Sequence, residues 1–270
     1  MRIAVVQVAY GDDETPQARV DRVCGLVESA APGHDLVVLP ELWMPTGFGY
    51  EGWEALAEPV HGPFVARMAE LAARTGVTLH AGSFVERLAH PGPEGHDLAN
   101  TSVVLGADGE LLAAYRKIHR FGFGAGEPTL MEAGEDIVVT QLPAGEGRRV
   151  MAGISTCYDL RFPELYRAQM EQGAELFVIP AAWPLARVAH WQLLGRARAV
   201  EEQCFVVQCN TGGRHHGGDM GGRSQVIAPT GEVLAEALDN SEQVLSVEID
   251  LDLVAAYRRD FPVLADRRLG

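Results

Sequence analysis

The sequence predicts an α/β protein in which β-sheets carry helices on their outer faces. Short Val- and Ile-rich segments bounded by Gly, Pro or Asp alternate with amphipathic segments along the 270 residues, a pattern typical of helix-covered sheets. No linker-like stretch divides the chain, so we expect one domain over residues 1–270. Hydrophobic residues make up 47% and charged residues 22% of the sequence, which suffices for a sizeable core.

The apolar pattern places twelve strands and four helices in order. The predicted strands cover residues 3–8, 36–39, 77–84, 101–105, 111–115, 137–142, 150–155, 176–180, 205–209, 224–228, 233–237 and 244–249. Apolar residues at helical spacing predict helices over 16–30 and 64–74, with two more after Pro163 and within 188–203. The charged residues Arg196, Arg198, Glu201 and Glu202 are predicted to decorate a solvated face of the last helix.

Composition excludes several classes of function. A net charge of −15 argues against nucleic acid or an anionic membrane as a partner, because both need clustered Lys and Arg. The longest apolar stretch, 176–186, is interrupted by two prolines, and the apolar part of residues 1–8 is too short for a signal peptide. We therefore expect neither a membrane span nor a leader.

The cysteines and histidines indicate no metal site. The four cysteines, at positions 24, 157, 204 and 209, show neither zinc-ligand nor disulfide-scaffold spacing, so we expect a reducing cytoplasm. His215 and His216 lie among glycines without a partner at ligand spacing, and they are predicted to belong to a mobile loop.

One cysteine, Cys157, lies where an apolar strand runs into the start of a helix. Pro163 suits the first turn of that helix, and Glu164 adds the negative charge that a helix N-terminus favours. A thiol at such a turn meets unpaired backbone N–H groups and the positive end of a helix. Both are expected to favour thiolate and to stabilise an oxyanion. Cys157 is therefore a candidate nucleophile.

Two further polar residues follow apolar strands. Glu41 comes after the strand at 36–39 and Lys117 after that at 111–115, and ligands collect where the carboxyl ends of strands meet. Such a trio permits acyl transfer, in which Glu41 takes the thiol proton, Cys157 attacks a carbonyl and Lys117 stabilises the tetrahedral intermediate. Alternatively, Glu41 caps the segment after its strand and Lys117 is a solvated strand end.

His119 offers another alternative. It lies two residues beyond Lys117 and could pair with Cys157 as in papain-like hydrolases. We consider this pairing minor, because Cys–His hydrolases place the two residues in a different local context.

Three segments, in this order, resemble the motifs of the nitrilase (carbon–nitrogen hydrolase) superfamily. They are L-P-E ending at Glu41, Y-R-K-I-H containing Lys117, and G-I-S-T-C-Y-D-L-R-F-P-E-L containing Cys157. The resemblance extends to I-A-V-V-Q near the N-terminus, N-T-S-V-V-L at Asn100, A-R-A-V-E at Ala197 and P-T-G-E-V-L at Pro229. It implies a Glu–Lys–Cys triad and a four-layer αββα sandwich that pairs into dimers across a helical face.

The same resemblance implies roles for two neighbouring residues. The backbone N–H of Tyr158 would form the oxyanion hole with Lys117, and Glu127 would orient the lysine and the substrate. Glu132 and Glu135 lie close to Glu127 in the sequence and are alternatives for that role.

The residues after the nucleophile resemble the omega-amidase branch of the superfamily, whose members act on amides of 2-oxo dicarboxylic acids. Arg161 matches the arginine that binds the substrate carboxylate there, and Trp183 and Arg187 match pocket-lining positions. Alternatively, Arg161 forms an ion pair with Asp159 or Glu164.

The expected function is hydrolysis of the C–N bond of a small carboxamide through a Cys157 thioester, with release of ammonia and without a metal or organic cofactor. A carboxylate-bearing omega-amide is the expected substrate, and a homodimer or higher homo-oligomer the expected assembly. Alternatives are a family hydrolase acting on nitriles or N-carbamoyl compounds, a non-catalytic scaffold, and a redox sensor that uses Cys157.

Overall fold

A computed structural model describes residues 1–268 of the chain. All twelve predicted strands are present, with ends that differ by a few residues. The strands are β1 (Arg2–Gln7), β2 (Ala9–Gly11), β3 (Leu36–Val38), β4 (Thr78–Arg87), β5 (Leu98–Leu105), β6 (Leu111–Arg116), β7 (Val138–Pro143), β8 (Arg149–Ile154), β9 (Leu176–Ala181), β10 (Phe205–Asn210), β11 (Gly212–His215), β12 (Gly218–Asp219), β13 (Gln225–Ile227), β14 (Val233–Glu236) and β15 (Gln243–Glu248).

The helices include the four that the sequence predicts. They are α1 (Pro16–Ala30), α2 (Tyr50–Trp53), α3 (Pro63–Thr75), α4 (Glu127–Leu130), α5 (Pro163–Glu171), α6 (Val188–Glu202) and α7 (Asp252–Asp260). Short 3-10 helices cover Glu54–Leu56, Cys157–Arg161, Leu185–Arg187 and Val263–Asp266. The single-turn helices α2 and α4 escaped prediction because four residues carry no helical period, and α7 because Val254 is its one buried residue.

Two six-stranded sheets form the centre of the fold. Their strand orders are β15-β1-β3-β4-β5-β6 and β14-β13-β10-β9-β8-β7. In each sheet three central strands are parallel, namely β1, β3 and β4 in the first and β8, β9 and β10 in the second, while the flanking strands are antiparallel. The parallel strands β3 and β9 are buried along their whole length, which explains their continuous apolar sequences.

Three buried clusters separate the layers. Val5 and Val38 of the first sheet pack with Val178 of the second in the cluster between the sheets. The opposite face of the first sheet packs against α1 and α3, and that of the second against α5 and α6. The protein is therefore an αββα sandwich, and the predicted four-layer architecture is confirmed. None of the helices within residues 1–268 is long and apolar enough to cross a membrane.

Local sequence explains the boundaries of the first two long helices. Thr15 caps α1 by accepting a hydrogen bond from the Ala18 amide, and Pro16 occupies its first turn. Helix α3 likewise begins at Pro63, and it ends at Gly76, whose φ of +65° is left-handed and favours glycine.

Two predictions about polar residues are wrong. His215 is not part of an exposed mobile loop, because it is fully buried in β11 and stacks at 4.4 Å on Tyr10. Arg198 and Glu202 do not face solvent on α6 but are buried. Arg198 donates to the Leu160 carbonyl at 2.9 Å. These partners are distant in sequence, so local charge patterns could not reveal them.

Candidate active site

Three strand ends bring the predicted triad into one place. Glu41 lies just beyond β3, Lys117 directly after β6, and Cys157 just beyond β8. All three are buried. The position of the site at the carboxyl ends of strands agrees with the sequence-based expectation for helix-covered sheets.

Lys117 is held between two carboxylates. Its Nζ lies 2.7 Å from Oε1 of Glu41, and 3.0 and 2.8 Å from Oε1 and Oε2 of Glu127. Burial by itself would lower the pKa of Lys117, but the negative charges of Glu127 and Glu41 outweigh it and hold the pKa well above its usual value. The lysine is therefore a fixed cation within the site.

The glutamate that contacts Lys117 is Glu127 and not one of its neighbours in sequence. Glu132 accepts hydrogen bonds from the backbone amides of Glu94 and His96 instead. Glu135 is exposed. Burial raises the pKa of Glu127, and the charge of Lys117 only partly counters this effect.

Asn100 is a component of the site that was not predicted from the sequence. Its Nδ2 donates to Oε1 of Glu41 at 2.8 Å and to Oε1 of Glu127 at 2.6 Å. The Asn100 carbonyl also accepts the Lys117 amide at 2.9 Å. The sequence signal that could have identified Asn100 is a polar residue in the fully buried strand β5. Buried polar side chains need hydrogen-bond partners, and they often belong to a functional site.

Cys157 occupies a strained turn. Its φ of +50° is left-handed, which is uncommon for a residue with a side chain. It starts the 3-10 helix Cys157–Arg161, whose N-cap Thr156 forms a capping box with Asp159. The turn presents the cysteine where β8 ends, in the lining of a cavity.

The prediction that this turn favours the thiolate is wrong. Burial raises the pKa of the Cys157 thiol well above its usual value, and the negative charge of Glu41 raises it further. The opposing effects of Lys117 and of the Ala182 amide are smaller. Moreover, Cys157 begins a short 3-10 helix, whereas α5 starts only at Pro163. The resting group is a thiol, so it needs a base in order to react.

The alternative pairing of Cys157 with His119 does not occur. The Nδ1 atom of His119 lies 2.8 Å from Oδ1 of Asp159, and its ring stacks on Phe162 with centroids 3.7 Å apart. The acceptor beside the thiol is Glu41.

All eight predicted site residues line one cavity. They are Glu41, Lys117, Glu127, Cys157, Tyr158, Arg161, Trp183 and Arg187. The remaining wall is largely aromatic, with Phe48, Tyr50, Trp53 and Phe121. The empty volume is about 420 Å³, including the space at the open mouth. Within residues 1–268, no three His, Cys, Asp or Glu side chains are grouped as metal ligands.

Two arginines lie in this cavity without a carboxylate partner among the described residues. The guanidinium carbon of Arg161 lies 4.6 Å from the Trp183 ring centroid, and that of Arg187 lies 5.5 Å from the Phe121 centroid. Arg161 pairs with neither Asp159 nor Glu164; its nitrogens contact His190 Nδ1 at 3.4 Å. The ion-pair alternative for Arg161 is therefore wrong.

Comparison with known proteins agrees with this geometry. The carbon–nitrogen hydrolase family model matches residues 2–259. A 2-oxoglutaramate amidase of Paenarthrobacter nicotinovorans is 44% identical over 266 residues, which cover 98% of this chain and 89% of the relative. Solved structures also match, among them the two that follow. A CN-hydrolase superfamily protein of Xanthomonas campestris, with an arsenic adduct in its active site, has a TM-score of 0.88 and 32% identity, covering 100% and 98% of the two chains.

The second structure is a mutant amidase of Nesterenkonia sp. AN1 that shows Michael addition of acrylamide at the active-site cysteine. It has a TM-score of 0.75 and 26% identity, covering 98% of this chain and 99% of the other. The matched family model spans almost the whole sequence, including the three strand ends that form the cavity. The protein belongs to the carbon–nitrogen hydrolase family, as the resemblance of its three motifs predicts.

Proposed function

We propose that this hydrolase cleaves the omega-amide of a small 2-oxo acid, such as 2-oxoglutaramate, to the free acid and ammonia. The observation that carries the proposal is one cavity lined by two chemically different sets of groups. A buried Glu41–Lys117–Cys157 cluster lines it together with two arginines that have no carboxylate partner among residues 1–268.

In the first half-reaction, Glu41 takes the thiol proton as Cys157 attacks the amide carbon. The new C–S bond forms while the carbonyl π electrons move onto oxygen, and Lys117 with the Tyr158 N–H stabilises that oxyanion. The oxyanion then collapses, the C–N bond breaks, and Glu41 delivers its proton to the leaving ammonia. The raised pKa of the thiol supports a base-dependent attack.

In the second half-reaction, water hydrolyses the thioester. Glu41 removes a proton from the water as it attacks, the same donors stabilise the second oxyanion, and the C–S bond breaks with return of the proton to sulfur. Glu127 and Asn100 keep Lys117 and Glu41 in place throughout, since both contact the triad at 3.0 Å or less. These steps use only groups of the chain, the substrate and water.

The arginines support a substrate that carries an anion remote from the scissile amide. A guanidinium forms paired charge-assisted hydrogen bonds with a carboxylate, and Arg161 and Arg187 have no acidic partner to compete for them among residues 1–268. Two positive charges also repel an α-ammonium group. The pocket should therefore prefer a 2-oxo acid amide to the corresponding amino acid amide, and the 2-oxoglutaramate amidase relative supports the same substrate.

A homodimer is proposed from the outer face of α6. Leu193 and Val200 lie about two helical turns apart and are 65% and 46% exposed there, which gives this face apolar side chains that a second copy could cover. Light scattering coupled to size-exclusion chromatography tests this assembly, which a mass of one chain would contradict. A cytoplasmic location stays a prediction from the four free cysteines.

The experiment for the reaction is an ammonia-release assay on a panel of amides. We expect turnover of 2-oxoglutaramate, much slower turnover of glutamine, and none of nitriles or N-carbamoyl compounds. Cys157→Ala and Cys157→Ser should abolish release, whereas Cys24→Ser, at a buried position on α1, should retain it. Full activity in Cys157→Ala would contradict the mechanism, and carbon dioxide release from an N-carbamoyl compound would contradict the substrate class.

A further inference from the structure

The carboxylate of Asp159 joins the turn that carries Cys157 to the strand end that carries Lys117. Asp159 is fully buried. Its Oδ2 accepts the Thr156 amide at 2.9 Å and the Tyr115 hydroxyl at 2.7 Å. Its Oδ1 accepts the backbone amide of His119 at 2.9 Å and lies 2.8 Å from His119 Nδ1. Oδ2 is thus shared between two segments far apart in sequence, and Oδ1 adds two contacts to His119 in one of them.

These partners flank the reacting groups on both sides. Thr156 precedes the nucleophile, while Tyr115 and His119 lie on either side of Lys117. The stacking of His119 on Phe162 adds a second link between the same two segments. A buried carboxylate that accepts several hydrogen bonds is a strong anchor, and the left-handed φ of Cys157 needs such an anchor to persist.

We propose that Asp159 is a positioning residue that fixes the distance between the Cys157 thiol and the Lys117 ammonium for acyl transfer. This proposal rests on the proposed function, because it assumes that both groups act in the reaction. The carboxylate does not touch the cavity; it acts through Thr156, Tyr115 and His119. Small displacements of reacting groups cost up to about 100-fold in rate, so the effect should fall on kcat.

The test compares Asp159→Asn with wild type on 2-oxoglutaramate. The asparagine side chain keeps the shape of aspartate, but its NH₂ group faces hydrogen-bond donors that one of the two carboxylate oxygens had accepted. We expect kcat to fall by about 10- to 100-fold with KM within about threefold. Iodoacetamide should also alkylate Cys157 more slowly, as measured by peptide mass. The matched control is Glu132→Gln, a buried carboxylate that also accepts backbone amides, and it should keep wild-type kcat.

Two further variants keep the test decisive if Asp159→Asn does not fold. Tyr115→Phe removes one donor and His119→Ala removes the ring while leaving the backbone amide. Each should lower kcat by less than Asp159→Asn without raising KM, and in the double variant the losses should be non-additive because both act through one carboxylate. Wild-type kcat in every folded variant, together with a lowered melting temperature, would show a purely structural role and overturn the proposal.

The failures of the two proposals are distinguishable. If Cys157→Ala retains activity, the proposed function fails. If Cys157→Ala is inactive while Asp159→Asn retains wild-type kcat and alkylation rate, the positioning role alone fails.

Discussion

Lys117 Nζ lies 2.7 Å from Oε1 of Glu41 in a fully buried ion pair. The same oxygen accepts Asn100 Nδ2 at 2.8 Å, and the other oxygen of Glu41 accepts the Ala182 amide at 2.8 Å. Both oxygens of the carboxylate are therefore fixed, and Glu41 reaches the Cys157 thiol from a defined direction. A buried ion pair of this kind is costly to desolvate, which favours a functional reason for it over a gain in stability.

Replacing Glu41 by Gln should nearly abolish turnover. The variant keeps the shape of the side chain but removes the base, and the raised pKa of Cys157 leaves almost no thiolate without one. We expect kcat for 2-oxoglutaramate to fall by about 10²- to 10⁴-fold. Glu51→Gln, an exposed change on α2, is the control. If the protein acted as a redox sensor or a scaffold, Glu41→Gln would cause no such loss of turnover. A retained kcat in Glu41→Gln would exclude Glu41 as the base.

Replacing Asn100 by Leu should weaken both catalysis and folding. Leu has a similar size but cannot donate to Glu41 and Glu127, which then repel each other more strongly in a buried site. We expect kcat to fall by about 10- to 100-fold and the free energy of unfolding by about 2 to 4 kcal/mol. Initial rates and urea denaturation measure the two effects. A folded variant with an unchanged rate would show that the Asn100 amide is dispensable.

The two cavity arginines should determine substrate charge preference. Arg161→Ala and Arg187→Ala should each raise KM for 2-oxoglutaramate by about tenfold or more, because a charge-assisted pair is lost, and should hardly change the rate with a neutral aliphatic amide. Arg149→Ala, at an exposed position on β8, controls for loss of positive charge. Equal effects on charged and neutral amides would contradict the proposed substrate class, although the hydrolase chemistry would still stand.

The pH dependence of folding should report on Glu202. Burial raises the pKa of Glu202 to about 7, and the charge of Arg167, 2.9 Å away, only partly counters it. Because the folded pKa exceeds the ordinary value of 4.5, the neutral form stabilises the fold. That stabilisation is complete below about pH 4.5 and is lost as the pH rises through 7.

Relative to Glu202→Gln, wild type should therefore lose about 1 to 3 kcal/mol of unfolding free energy between pH 4.5 and 8. Thermal or urea denaturation at several pH values measures the difference between the two proteins. Glu201→Gln, a change at the exposed neighbouring position, should leave the wild-type pH dependence intact. Parallel stability curves for wild type and Glu202→Gln would mean that folding leaves the pKa of Glu202 unchanged and would contradict the prediction.

The strands and the long helices were predicted well from the sequence, because the apolar pattern of each element is local. Buried parallel strands such as Leu36–Val38 and Leu176–Ala181 are continuous apolar runs, which local patterns reveal. Short elements such as helix Tyr50–Trp53 and strand β11 depend on tertiary contacts. Local sequence patterns therefore did not predict either of them. The αββα layering itself followed from family resemblance and not from periodicity.

The sequence also predicted which strand ends meet at the site, but it did not predict the electrostatics of the site. Positions after apolar strands and the order of three motifs identified Glu41, Lys117 and Cys157 as candidates, yet the pKa direction of the thiol depends on burial and on a carboxylate that is far away in sequence. The contacts of Asn100 likewise join three separate segments. Such properties arise only when distant elements pack together.

The most direct test of the central claim is the mass of the protein during turnover. The enzyme is mixed with 2-oxoglutaramate, quenched in acid within milliseconds to seconds, digested and analysed by mass spectrometry. The account predicts that the peptide containing Cys157 gains the mass of the substrate minus ammonia, and that Cys157→Ala shows no such gain. Steady ammonia release with an unmodified Cys157 peptide at all quench times, and with an active Cys157→Ala variant, would contradict it.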